Sequence, residues 1–146
     1  MAITVSSIML SRLVTCDATS NLRKVSQKII DKDVGSVLIK QEEEIVGIIT
    51  EKDLLRAVLR HRDFETTEAK EIMSSPLDCC EAEDSLERCM DLLRKTNRSR
   101  LVVKQEGKVV GVMSKKIVER FLRMSKIYSL AEVAKNPRFR TGRWQL

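Results

Sequence analysis

Apolar residues along the chain alternate between two spacings, and the alternation is written twice. Residues 13–17 (LVTCD) read as a short extended segment, after which Leu22, Val25 and Ile29 recur at three- and four-residue intervals, a helical period. Two runs rich in branched residues follow, 36–40 (SVLIK) and 45–50 (IVGIIT), separated by the polar QEEE, a connection short enough to predict an antiparallel hairpin. Leu54, Leu55, Val58 and Leu59 then restore the helical period. The second pass has LDCCE at 77–81, a helical stripe through Leu86, Met90 and Leu93, and the strand pair RLVVK and VVGVMS around QEGK. Its last helix carries IVERFL. The expected order is β-α-β-β-α, twice, joined by the polar stretch HRDFETTEAKE.

Sliding the chain against itself by 64 residues aligns 8–60 with 72–124 without a gap, and fourteen of those 53 positions are identical. Ile8-Met9 meets Ile72-Met73, Cys16 meets Cys80, and Val46-Gly47 meets Val110-Gly111. The period is too long, and the copies too few, for a solenoid; this is a tandem duplication. Two units of some sixty residues are each marginal alone, so the expectation is an α+β fold whose two repeats pack sheet to sheet with pseudo-two-fold symmetry. The expected divisions are 1–62, 63–126 and a basic tail, 127–146.

One corner differs between the copies. Thr50-Glu51-Lys52-Asp53 follows the first hairpin, while the second reads Ser114-Lys115-Lys116-Ile117: the hydroxyl and a lysine return and the carboxylate does not. T-x-x-D at a helix start is a capping box in its own right, the hydroxyl accepting from a backbone N–H and the acid favouring the positive helix end. The same parts suit a nucleotide: a helix N-terminus for phosphate, a carboxylate for two ribose hydroxyls, Gly47 for close approach of a flat base, and apolar walls from Ile48 and Ile49.

In this context the tandem unit, with GSVLIKQEEEIVGIITEKDLLRAV in one half and SRLVVKQEGKVVGVMSKKIVERFL in the other, resembles the CBS-domain family, specifically a paired CBS (Bateman) module, over residues 8 to about 124. The resemblance implies an adenosine ligand, AMP, ADP, ATP or S-adenosylmethionine, held as a regulatory signal with no cofactor required. Carried onto this sequence, Asp53 would take the ribose hydroxyls and Thr50 the ribose-phosphate region. Lys116 and Arg98 would reach the phosphates, and Met73 to Cys79, including Leu77, would help enclose the adenine. Ile117 departs from the family pattern and cannot accept a hydrogen bond, so the second cleft is expected to be weak or empty. The resemblance also implies flat homodimers formed through helices and a regulated partner on a separate chain.

Composition narrows the classes. Hydrophobic residues at 42% and charged residues at 33% describe an ordinary globular chain, without an apolar run of the roughly 18 residues a membrane span needs. MAITVSSIML has no cationic lead-in typical of a secretory signal, so a cytoplasmic location is expected. Cys16, Cys79, Cys80 and Cys89 form no C-x-x-C pair, and His61 is the single histidine, so no zinc ligand spacing is present. No P-loop glycine run or nucleophile–base pairing points to an enzyme. The net charge of +6 is concentrated late: from Lys115 onward there are nine Lys/Arg against two acids. The tail NPRFRTGRWQL alternates Arg138, Arg140 and Arg143 with Phe139 and Trp144, which suits nucleic acid as an alternative function.

Overall fold

In the computed structural model the described residues are 3–124. Twelve elements follow in chain order among them. They are α1 (Val5–Ile8), β1 (Thr15–Asp17), α2 (Leu22–Lys32), β2 (Ser36–Gln41), β3 (Glu44–Thr50), α3 (Glu51–Leu59), α4 (Ala69–Ile72), β4 (Cys79–Glu81), α5 (Leu86–Thr96), β5 (Arg100–Gln105), β6 (Lys108–Ser114) and α6 (Lys115–Met124). Both β-α-β-β-α passes are present, and the fold is α+β with two three-stranded sheets, ordered β1-β2-β3 and β4-β5-β6. The basic tail and its arginines and aromatics lie outside the described residues.

Each sheet combines a parallel pair, bridged by a helix, with a tight hairpin. β1 runs parallel to β2 with Cys16 opposite Ile39, and β2 runs antiparallel to β3 with Ile39 opposite Gly47. The second sheet repeats the register: Cys80 opposite Val103, and Val103 opposite Gly111. Crossover helix α2 is capped by Asn21, whose side chain accepts from the Lys24 N–H at 2.8 Å, and α5 by Ser85, which accepts from the Arg88 N–H at 3.2 Å. Both end on a left-handed residue, Asp33 and Asn97, types that tolerate that region better than most. Each hairpin turn has two residues at positive φ: Glu42 and Glu43 in the first, Glu106 and Gly107 in the second. That is the signature of the type I′ turn that matches strand twist.

The compact units do not follow the order of the repeats. Leu13–Leu77 form one unit, while the described residues up to Arg12 join those from Asp78 onward in the other. The reason lies in the short lead-in helices. Val5 and Ile8 of α1 are wholly buried in a core with Leu86, Leu101, Met113 and Phe121, and the Val5 N–H donates to the Asp84 carbonyl at 2.8 Å. Likewise Ala69 of α4 is buried with Leu22, Val37, Ile49 and Leu54, and its N–H donates to the Ser20 carbonyl at 2.7 Å. Each lead-in therefore completes the core of the copy that a sequence division at residue 62 would separate it from.

No helix among the described residues is long and apolar enough to cross a membrane.

Candidate functional site

β3 runs directly into α3, and that junction sets the first corner. Thr50 is the N-cap of α3 and Asp53 its third residue. The Thr50 N–H and hydroxyl both donate to Asp53 Oδ2, at 2.8 and 3.0 Å, and the Asp53 N–H donates back to the Thr50 hydroxyl at 3.3 Å. The capping box that the sequence allowed is thus formed. It occupies only one carboxylate oxygen: Oδ1 is engaged by the Arg56 guanidinium at 3.2 Å. Arg56 is largely exposed, while the Asp53 side chain is 17% exposed. The carboxylate is fixed on one side by the cap, and its other oxygen has an exposed arginine as its partner among the described residues.

Beside it lies a cavity of about 140 Å³, lined by Asp53, Arg56 and Ala57 of α3, its C-cap Arg60, Arg62 of the following turn, and Glu71 and Ile72 of α4. The helix spacing explains the α3 contribution, because residues three, four and seven positions beyond Asp53 share its face. A Schellman turn delivers Arg62: the His61 N–H donates to the Val58 carbonyl and the Arg62 N–H to the Ala57 carbonyl, both at 3.0 Å, with His61 left-handed at φ 57°. The single histidine is therefore a helix-ending residue. These arginines had no part in the sequence reading; only the helical period from Asp53 could have drawn attention to Arg56 and Arg60.

Gly47, expected from the sequence to allow close approach of a flat base, has a structural reason to lack a side chain as well. In the structure a Cβ there would collide with the Met73 side chain, meeting Sδ and, at 2.8 Å, Cγ. Met73 lies against the strand because Ser74 and Ile48 exchange backbone hydrogen bonds, Ser74 N–H to Ile48 carbonyl at 2.9 Å and Ile48 N–H to Ser74 carbonyl at 3.2 Å. The other unit repeats the device: a Cβ on Gly111 would come within 2.5 Å of Met9 Sδ and 2.8 Å of the Leu10 carbonyl oxygen. The recurring Ile-Met and Val-Gly pairs of the alignment are thus two halves of one contact.

Gly47, Ile48, Thr50, Asp53, Met73 and Leu77 all belong to the unit Leu13–Leu77. Ile48 is buried yet stands outside the helix-covered core cluster, and Met73 and Leu77 are half-buried. Cys79, Arg98 and Lys116 belong to the other unit. There Arg98 Nε donates to Asp78 Oδ2 at 2.8 Å, Lys116 is exposed, and Cys79 is half-buried with its thiol pKa pushed up by burial. At the second corner the Ser114 hydroxyl still caps, accepting from the Ile117 N–H at 3.1 Å. Ile117 itself is buried with Val118 and Phe121. Where Asp53 presents a carboxylate, the second copy presents core.

The CBS domain family model matches residues 5–60 and again 69–123, and the chain belongs to the CBS-domain family. It is similar to a CBS domain protein from Pyrobaculum aerophilum complexed with AMP, with a TM-score of 0.70 and 25% identity over 78% of this chain and 88% of that one. The CBS domain pair of protein MJ0100, solved with 5′-methylthioadenosine and S-adenosyl-L-methionine, shares the fold at a TM-score of 0.77. It is 19% identical, over 86% of this chain and 99% of that one. An uncharacterized protein of Methanopyrus kandleri is 27% identical over 116 residues, 77% of this chain and 59% of that relative. The chain thus spans less than two thirds of that curated relative.

Proposed function

We propose that this CBS pair is a non-catalytic regulatory module that binds an adenine nucleotide at the Asp53 corner. The observation that carries the reading is the state of Asp53: its capping box uses Oδ2, and Oδ1 is bonded to a largely exposed arginine that a ligand can displace. A ribose offers two adjacent hydroxyls, both good donors to such an oxygen. The AMP bound to the Pyrobaculum aerophilum relative supports an adenosine ligand. In this reading Ile48, Met73 and Leu77 furnish apolar contact for the base, and Thr50 fixes the carboxylate. A second copy of the chain is the partner we propose for the exposed apolar face of α3.

The test is AMP and ATP calorimetry on Asp53→Asn, which keeps side-chain shape and a capping oxygen while removing the charge. Losing a charged acceptor costs about 1.5–3 kcal/mol, so affinity falls at least tenfold, with a melting temperature close to that of the parent. Equal affinities would take Asp53 out of the site. No heat from AMP, ATP or S-adenosylmethionine with the parent protein would leave the corner a helix cap and nothing more.

A further inference from the structure

The cavity next to Asp53 holds more positive charge than helix capping uses. Three arginines, Arg56, Arg60 and Arg62, and two acids, Asp53 and Glu71, are among the residues that line it. Both acids are already engaged by backbone donors. Asp53 Oδ2 takes the Thr50 N–H at 2.8 Å, and Glu71 Oε2 takes the Glu68 N–H at 2.6 Å. Their remaining oxygens are shared with arginines, Asp53 Oδ1 with Arg56 at 3.2 Å and Glu71 Oε1 with Arg62 at 3.6 Å, the latter a loose contact. The Arg60 side chain has no hydrogen-bond or ion-pair partner among the described residues, its backbone N–H donating to the Arg56 carbonyl at 3.0 Å, and the residue lines the cavity. The local balance is one positive charge over, on a planar donor fork.

At about 140 Å³ the space is smaller than the ~300 Å³ at which pockets for whole small molecules begin. It fits one compact charged group, and arginine forks match the tetrahedral oxygens of phosphate in pairs. The placement follows from the backbone. Arg56 lies on α3 and Arg60, its C-cap, four residues further on, and the left-handed His61 turns the chain so that Arg62 also lines the space. We propose that this pocket is a phosphoryl-anion subsite, in which Arg60, Arg62 and Arg56 receive a phosphate group. Its source is either the phosphate chain of the nucleotide, a case that rests on the function proposed above, or a free inorganic phosphoanion.

Sodium pyrophosphate, ATP and adenosine titrated calorimetrically into the full chain, metal-free, distinguish these sources. Arg60→Gln removes the uncommitted cation at an exposed position, and Arg60→Gln/Arg62→Gln removes two; circular dichroism checks that both remain folded. The expected result is pyrophosphate binding that weakens about tenfold in the single variant and disappears in the double. ATP should weaken by a similar factor while adenosine is unaffected. Pyrophosphate affinity that is absent in the parent, or equal in parent and Arg60→Gln, overturns the subsite even where adenosine still binds and the function proposed above stands. Arginine-dependent pyrophosphate binding with no response to adenosine or ATP keeps the subsite and removes the nucleotide.

Discussion

Asp53 and Ile117 occupy equivalent places in the two copies, and their surroundings show why the difference is not easily reversed. The Asp53 side chain is 17% exposed beside a cavity; Ile117 is 6% exposed within a cluster that includes Met113, Val118 and Phe121. Restoring the carboxylate by Ile117→Asp would not restore a site. Removing a buried isoleucine costs about 2–5 kcal/mol through lost burial and the cavity left behind. A renewed capping box with Ser114 returns about 1 kcal/mol. The expected outcome is a net loss of about 1–4 kcal/mol by urea denaturation, with no gain of nucleotide binding. A variant as stable as the parent would show that the second corner has room for a polar group. Residue type alone revealed the missing acceptor in the second copy; that the isoleucine had become core needed the coordinates, because an apolar residue at a helix start reads equally well as a surface position.

At the scale of elements the duplicated sequence serves as an internal control. The two hairpins have the same turn, but where the second has Gly107 at φ 77° the first has Glu43 at φ 67°. A side chain in the left-handed region costs about 1–2 kcal/mol, part of which glycine returns through the greater freedom of its unfolded chain. Glu43→Gly should therefore stabilise the protein by roughly 0.5–1 kcal/mol, read as a higher urea midpoint at unchanged slope. No gain would mean that the glutamate has compensating contacts in the turn. The strands, helices and hairpins were legible because branched runs, helical stripes and short polar turns each appear twice at one spacing. The exchange of lead-in helices was not. VSSI and AKEI are single helical turns too short to carry a period, and which core receives Val5 or Ala69 is decided by tertiary contact. The same limit hid the Met73–Gly47 contact: the alignment gave both repeated pairs, and nothing in their spacing joined them. The α3 cavity stayed hidden for a related reason, since it needs Arg62 and Glu71 from beyond the helix.

For the molecule as a whole, the two faces of α3 differ in chemistry. One carries Asp53 and Arg56, with the C-cap Arg60, to the cavity. The other leaves Leu55, Val58 and Leu59 exposed by 63%, 56% and 78%, an apolar stripe at helical spacing, while Ile30 on α2 is 73% exposed. Full burial of a large aliphatic side chain is worth about 1.5–3 kcal/mol, so the α3 stripe on two copies together offers roughly 6–12 kcal/mol at these exposures. Association costs about 4–15 kcal/mol in lost freedom and side-chain ordering. The stripe alone thus brings a dimer near balance, and a single charge within it should decide the outcome. Leu59→Glu places two like carboxylates at the contact and is expected to shift sedimentation from dimer to monomer at micromolar concentration. AMP affinity should stay unchanged, because position 59 is not among the residues lining the cavity. A parent protein that is monomeric throughout the micromolar range would refute self-association through α3. A dimer unaffected by Leu59→Glu would move its contact to another face, and if AMP affinity fell as well, the two faces would prove coupled through a helix that both of them share.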